Sequence, residues 1–291
     1  MGAHDVIDYN DYWEHREILQ CFPTNLFVSL SIMSQIIIKN NHEIQAFRES
    51  GQYLSEILQT LAQHSIEWIT LLELDQIAQQ YCTQHNIKAS FRGHQGFPAH
   101  VCLSLNDCLV HGIPDKTILK KWDLLKIDMW ITHNKMISDS AVSVVVGWSS
   151  TNPKAQHLST ITKQALDTWI LLIWPWVSIY DRGKHVEQTL TNNNCSIIYS
   201  LCWHGVGRKL REAPFIYNYA EQEAKKIKFR SGMIIALEPI TAITSTDYRT
   251  KGTNDRNLYT TDGDLGCQRE YSLLVTDNGC DILAWVPDML V

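Results

Sequence analysis

Two aspartates, Asp128 and Asp139, lie in consecutive apolar runs, residues 124–132 and 137–146, joined through His133-Asn134. If His133-Asn134 forms a hairpin loop, the two carboxylates stand directly opposite each other. Like charges across a ladder repel, and two carboxylates in an apolar setting cannot both ionise cheaply without a cation between them. A divalent metal removes that conflict; the plainer alternatives are a solvent-facing Asp or a register one residue off. Three more residues bear on the choice. His204 sits in Trp203-His204-Gly205-Val206-Gly207, where two glycines permit a bend and a close backbone approach; a lone His beside glycine is otherwise a loop residue. Glu238 ends the apolar run Met233-Ile234-Ile235-Ala236-Leu237 and precedes Pro239, and an acid at the end of a buried strand needs a partner unless it reaches water. Glu270 opens a strand after a loop rich in Gly and Asp, and alone it reads as a surface acid.

Caps, periods and turns define the elements that must hold these groups. Asn40 and Glu43 have capping-box spacing, and Ile44, Phe47, Leu54, Leu58 and Leu61 follow at helical intervals or their multiples. Thr70 and Glu73 repeat the spacing for a second helix with a buried stripe of Leu74, Ile77 and Tyr81, ending near His85. Residues 91–147 are turn-rich and strand-rich, with bends at Gly93, Gly96-Phe97-Pro98 and His111-Gly112-Ile113-Pro114. A third helix starts at Asn152 with Pro153 in its first turn, places Leu158, Ile161, Ala165, Trp169 and Leu172 on one side, and stops at Pro175. A shorter helix is expected over residues 184–191. Strands are expected over 196–202, 233–244 and 270–276, the last closed by Asp277-Asn278-Gly279. Helices then strands, twice over, predict an α+β protein of two similarly built halves rather than alternating βαβ units. Residues 1–35 show no clear period and read as an N-terminal extension of unassigned role, ahead of one domain over 36–291.

The bulk numbers narrow the function classes. The 291 residues are 45% hydrophobic, enough for a sizeable core. A formal charge of −6 with no long Lys/Arg run argues against a nucleic-acid groove. Eight cysteines without a Cys-x-x-Cys pair suit thiols in a reducing compartment. Asp5, Asp8, Asp11 and Glu14 are unlike a signal peptide. The most apolar stretch, residues 169–177, contains Pro175, is far shorter than the roughly 20 residues of a membrane span, and reads as a buried helix end. A cytoplasmic monomer with no membrane partner is expected.

One further pattern is specific. Gly96-Phe97-Pro98, Cys102, Ser104, Asn106, His111-Gly112-Ile113-Pro114, Ile127-Asp128 and Asp139-Ser140 are followed by His204-Gly205-Val206-Gly207-Arg208, Glu212 and Pro214. Then come Gly232-Met233, Leu237-Glu238-Pro239, Glu270 and Val275-Thr276-Asp277-Asn278-Gly279-Cys280. In this order, and with this gap between the aspartates, the set resembles the type I, bacterial-type methionine aminopeptidases, roughly from residue 36 to 286. The resemblance implies a pita-bread α+β fold, with two pseudo-symmetric halves of antiparallel sheet and flanking helices around a dinuclear metal site. It makes Asp128, Asp139, His204, Glu238 and Glu270 the ligands of two divalent ions, of the Co, Mn, Fe or Zn kind that suits oxygen donors with one nitrogen. The implied reaction is attack of a water shared by the ions on the first peptide carbonyl, which releases the initiator methionine of new proteins with a small second residue. Glu238 would handle the water's proton, and neutral His111 would contact the scissile amide, unless His111 is merely a turn residue. Phe97 and Cys102 fall on the methionine pocket, or are ordinary core. A ribosome contact is one role open to residues 1–35.

The chain also departs from that pattern. Arg211 stands where the family has a second substrate-contacting histidine; a permanently charged, donor-only guanidinium there could bind an oxyanion, pair with Glu212 or obstruct the pocket. His94 replaces a tyrosine, Trp122 and Trp203 replace glycines, Ile137-Ser138 replaces His-Gly, and the aromatic wall near Arg256 is lost. These changes leave open a second reading, a divergent paralogue of low activity that binds peptide or protein. Retention of all five ligands favours the enzyme. A dipeptidase specific for Xaa-Pro lacks support, because that relative carries a large N-terminal domain.

Overall fold

Both capping boxes form in the computed structural model, which describes residues 36–147, 152–251 and 254–286; the expected extension over residues 1–35 lies outside the described residues. Asn40 accepts from the Glu43 amide while the Glu43 carboxylate accepts from the Asn40 amide, and α1 (Asn41–His64) begins there. Thr70 and Glu73 start α2 (Leu71–Gln84) in the same way. Each box closes amides that a helix start leaves open. On α2 the buried stripe is Leu74, Asp75, Ala78 and Cys82, whereas Ile77 and Tyr81 are half-buried, a correction to the stripe expected from sequence. The face rotates because Asp75 turns inward to accept the amides of His100 and Val101 (2.6 and 3.2 Å), and the Tyr81 hydroxyl turns out to Glu56.

The first half continues with β1 (Lys88–Ala89), β2 (Cys102–Leu105), β3 (Cys108–Val110), β4 (Leu124–His133) and β5 (Met136–Val145). β5 runs along one edge of β4, and β1 and β2 share the other, all antiparallel. The β4–β5 hairpin turns through Asn134-Lys135, both at positive φ (47° and 65°), as a two-residue hairpin turn requires. The register therefore pairs Asp128 with Ala141 and Trp130 with Asp139. Asp128 and Asp139 are diagonal neighbours, not directly opposite as a turn at His133-Asn134 would have it. Because the slip is an even number of residues, both carboxylates stay on one face.

The second half repeats the plan. Asn152 caps α3 (Pro153–Leu171) by accepting from the Ala155 amide, and Ser178 starts α4 (Ile179–Asn192) five residues ahead of its expected beginning. Ten strands follow among the described residues: β6 (Ser196–Ile197), β7 (Trp203–Gly205), β8 (Glu212–Ile216), β9 (Ile234–Leu237), β10 (Ile240–Ala242), β11 (Tyr248–Lys251), β12 (Asn254–Thr260), β13 (Gly266–Gln268), β14 (Tyr271–Thr276) and β15 (Gly279–Ala284). The strand expected over 196–202 is only two residues long, and that over 233–244 breaks at Glu238-Pro239, since proline has no amide to give a ladder. The five-stranded sheet runs β15-β14-β9-β7-β8, with three-stranded sheets β13-β10-β6 and β11-β12-β3 beside it.

One core lies under α1 and α2, another under α3 and α4. Trp203 is absorbed into the second, stacked on Trp169 with ring centres 6.4 Å apart, and Trp122 stands half-exposed at φ 78°. The strand that bears His204 pairs with β9, His204 opposite Ala236, and is irregular in register against β8 between Trp203 and Gly205. The expected buried helix end over residues 169–177 is corrected: Trp169 and Ile173 are buried, but Leu171, Trp174 and Trp176 are exposed, because α3 ends at Leu171 and the chain turns there. No helix among the described residues is long and apolar enough to cross a membrane.

Candidate metal centre and substrate pocket

Strand register carries the acids and the imidazole to one place. Cys102 pairs with Asp128 across β2–β4, and Asp128 with Ala141 across β4–β5. Ala141 in turn bridges to Glu270: the Glu270 amide donates to the Ala141 carbonyl (2.9 Å) and the Ala141 amide to the Glu270 carbonyl (3.3 Å). One row of neighbours thus crosses the seam between the halves, with its side chains on one face. Asp139, two residues before Ala141, shares that face. Beyond Glu270, the pairing of Leu237 with Tyr271 makes Glu238 the next neighbour of Glu270, and His204, paired with Ala236, projects on the same side.

Buried serines close the seam. Ser140 Oγ donates to the Glu270 carbonyl, Ser143 Oγ to Gln268 and Ser272 Oγ to Asp139, each at 2.6 Å. Ser138 shares a hydrogen bond with Ser50 (2.8 Å).

Carboxylate oxygens of Asp128, Asp139 and Glu270 lie within 4.8 Å of one another; Glu238 and His204 stand outside that tight grouping and are brought alongside it by strand register, all five residues buried. Burial pushes the Asp128 carboxyl up to about 7. Burial, reinforced by the neighbouring carboxylates, holds Asp139, Glu238 and Glu270 well above the usual range. The compensating donors are few. Gln268 Nε2 donates to Asp128 Oδ2 (3.2 Å) and to Glu238 Oε1, and the Arg211 charge acts on Asp128, Asp139 and Glu238. An oxygen-rich, under-compensated anionic cluster fits a divalent cation. So does His204: its Nδ1 donates to the Gly205 carbonyl (3.0 Å), leaving Nε2 as the acceptor a metal would use. Gln268 escaped the sequence reading; its only signal was a position two residues before Glu270.

Beside the centre, Phe97, Ala99 and Cys102 are buried together against Phe91 and Ile113. Trp130, opposite Asp139, lies edge-on to Phe91 (5.2 Å) and His94 (4.9 Å). Phe91 and Trp130 were also missed, although Trp130 shares strand parity with Asp128. His111 follows β3 at φ 61°. A Cβ on Gly112 would stand 2.2 Å from the Leu103 carbonyl, so the chain can pass β2 there only without a side chain. Desolvation lowers the His111 imidazole to about 4, with the charges of Arg211 and Arg256 adding to it. His204 is lowered to about 3 by the same burial and by Arg211. Arg211 does not pair with Glu212, whose carboxylate is taken by Lys39 Nζ and by the amides of Arg208 (2.6 Å) and Lys209 (3.0 Å).

These shifts set a pH dependence for the metal-free protein. Carboxyls raised on folding stabilise the folded state fully below their ordinary pKa of about 4, and that stability is lost as pH rises through the folded values, near 7 for Asp128. His111 and His204 oppose this, because between about 6.5 and their lowered values the unfolded chain takes up protons the folded one refuses. Four acids outweigh two imidazoles. Chelator-stripped protein is expected to need more urea to unfold at pH 5 than at pH 8, and metal-saturated protein less, since protons compete for the ligands. Equal acid destabilisation of both forms would contradict the buried cluster.

Residues 45–277 match the model of metallopeptidase family M24, and the chain belongs to that family. Its fold is the pita-bread α+β fold, and its chemistry that of a divalent-metal hydrolase. Within the family it stands among the methionine aminopeptidases. It is 32% identical to the methionine aminopeptidase of Clostridium perfringens over 252 residues, 86% of this chain and 99% of that protein. It is 31% identical to that of Buchnera aphidicola subsp. Schizaphis graminum over 251 residues, 86% of this chain and 94% of that protein. The solved methionine aminopeptidase of Thermotoga maritima superposes with a TM-score of 0.82 at 26% identity, covering 86% of this chain and 99% of that one.

Proposed function

We propose that this chain removes the N-terminal methionine from peptides and new proteins with a small second residue, using divalent ions held by Asp128, Asp139, His204, Glu238 and Glu270. The observation that carries the reading is the row Asp128, Ala141, Glu270 across the seam, which gathers buried carboxylates from both halves within reach of one another. A divalent metal held by these residues would supply the charge to activate water and to stabilise an oxyanion on the first peptide carbonyl. Glu238, as a carboxylate whose proton affinity burial raises, would accept the water's proton and return it to the departing amine. His111 stays neutral at cellular pH and so can hydrogen-bond the scissile amide and aid departure of the amine. Phe91, Phe97, Cys102, Ile113 and Trp130 form the apolar wall for the methionine side chain, where aromatic edges favour sulfur.

The unpaired cysteines among the described residues support a reducing compartment such as the cytoplasm. The binding-module reading loses two of its supports, since Trp203 packs in the core and Trp122 stands at the surface.

The test is methionine release from a Met-Ala-Ser peptide by chelator-stripped protein refilled separately with Mn²⁺, Co²⁺, Fe²⁺ or Zn²⁺. Release is expected with at least one ion and none without. No release with any ion, from protein that still binds metal, would overturn the proposal.

A further inference from the structure

The lip of the apolar pocket is a loop curled back on itself. The Gly93 amide donates to the Phe97 carbonyl (2.9 Å) and the Phe97 amide to the His94 carbonyl (2.8 Å). The curl sets Phe91 and Phe97 against each other, ring centres 5.3 Å apart, and leaves His94, Gln95 and Gly96 exposed at the mouth. A cationic side chain from the second half reaches this lip. Arg256, half-buried on β12, donates from Nη2 to the Gln95 carbonyl, and the same nitrogen stands 3.6 Å from the place a Cβ on Gly96 would take. The backbone of Arg256 lies at the reacting end of the pocket. Val110 pairs with Leu258 across β3 and β12, and the His111 imidazole hydrogen-bonds the Arg256 backbone. One residue thus spans from the imidazole assigned to the scissile amide to the outer lip of the wall assigned to the methionine side chain.

We propose that Arg256 is a specificity-determining residue, which favours substrates with an acidic side chain at the third or fourth position and disfavours lysine or arginine there. The inference rests on the aminopeptidase reading made above. With the methionine end of a substrate inside, the residues after the scissile bond run outward, about 3.3 Å further for each extended residue, so the third and fourth pass the exposed lip. The Gln95 carbonyl that places the guanidinium is neutral and leaves its charge in force, and that charge is felt at His111. A carboxylate arriving there meets a planar fork of N–H donors that matches its own geometry, whereas an ammonium meets a like charge. Charges at the rim of an interface act on which partner enters more than on how tightly the core is held.

The experiment is a competition. Full-length, metal-loaded chain is given Met-Ala-Glu-Glu-Ser-amide, Met-Ala-Gln-Gln-Ser-amide and Met-Ala-Lys-Lys-Ser-amide in one mixture, and relative kcat/KM values are read from their rates of cleavage, which cancels differences in metal loading. Wild type should prefer the acidic to the basic peptide about tenfold at low salt, one attraction between partly exposed charges replacing one repulsion. The preference should fall by roughly half or more in ~1 M salt, where such charges are screened. Arg256→Lys should keep most of it, Arg256→Gln should abolish it and Arg256→Glu should reverse it. A guanidinium that only held the lip in place would give wild type no preference, and its loss would slow all three peptides alike. Equal rates in wild type, or a preference untouched by salt and by whichever of the Gln and Glu variants folds, would overturn the proposal. No release from any peptide with any ion would remove the aminopeptidase reading instead. Calorimetric binding of the three peptides to the same full-length protein then decides this one: tighter binding of the acidic peptide sustains it, and equal binding or none overturns it.

Discussion

Glu270→Gln is expected to lower metal-dependent methionine release on the order of 1,000-fold and to strip most of the retained metal. Glu270 is the one acid of the tight trio contributed by the second half, docked by its backbone on Ala141 and by its carbonyl on Ser140. Those contacts do not involve the carboxylate, so the amide variant keeps the seam and loses only charge. Electrostatic stabilisation by a bound metal is worth several kcal/mol, and each 1.36 kcal/mol is about tenfold in rate. A structural residue would not produce the companion result. Without metal, the variant should melt at a higher temperature than wild type at neutral pH, because folding no longer has to protonate a buried carboxyl whose pKa is held well above its ordinary value. The rise in melting temperature on adding Mn²⁺ should shrink as ligand binding weakens. Unchanged metal retention and unchanged rate would remove Glu270 from the centre.

His111→Ala should cost about 10²- to 10⁴-fold in kcat, the usual range for a positioned proton-transfer or hydrogen-bonding group, with metal retention unchanged. The imidazole is lowered to about 4 by desolvation and by Arg211 and Arg256, and it also bonds the Arg256 backbone. It therefore stays neutral as pH falls through the ordinary histidine range, and rate lost between pH 7 and pH 5 belongs to other groups. Because His111 occupies positive φ, backbone and side-chain effects must be separated. His111→Asn, a residue that tolerates this conformation, should show the same fall in kcat with no loss of stability. Full activity in both variants would make His111 a turn residue.

Legibility followed the range of the interaction. Asn40/Glu43 and Thr70/Glu73 announced their helices because a capping box closes within four residues. Asp128 and Asp139 were placed correctly on one face and wrongly in register, since parity depends on the strand period alone while register depends on which two turn residues accept positive φ. Residues 169–177 looked like core by composition, and a helix that stops at Leu171 left Trp174 and Trp176 outside.

The amino-acid sequence by itself determined the residue types of the centre, their strand settings, the two-halved α+β order and, through five separated motifs, the kinship to methionine aminopeptidases. Those properties are local, or are repeated along the chain, and survive without coordinates. The tertiary structure decided what separation in sequence hides. It brought Ala141 against Glu270, set Gln268 between Asp128 and Glu238, gave Trp203 a place against Trp169, and joined Glu212 to Lys39 rather than to Arg211. Each of these depends on hydrogen bonds and packing between segments far apart in the chain, where neither helical nor strand periodicity carries information.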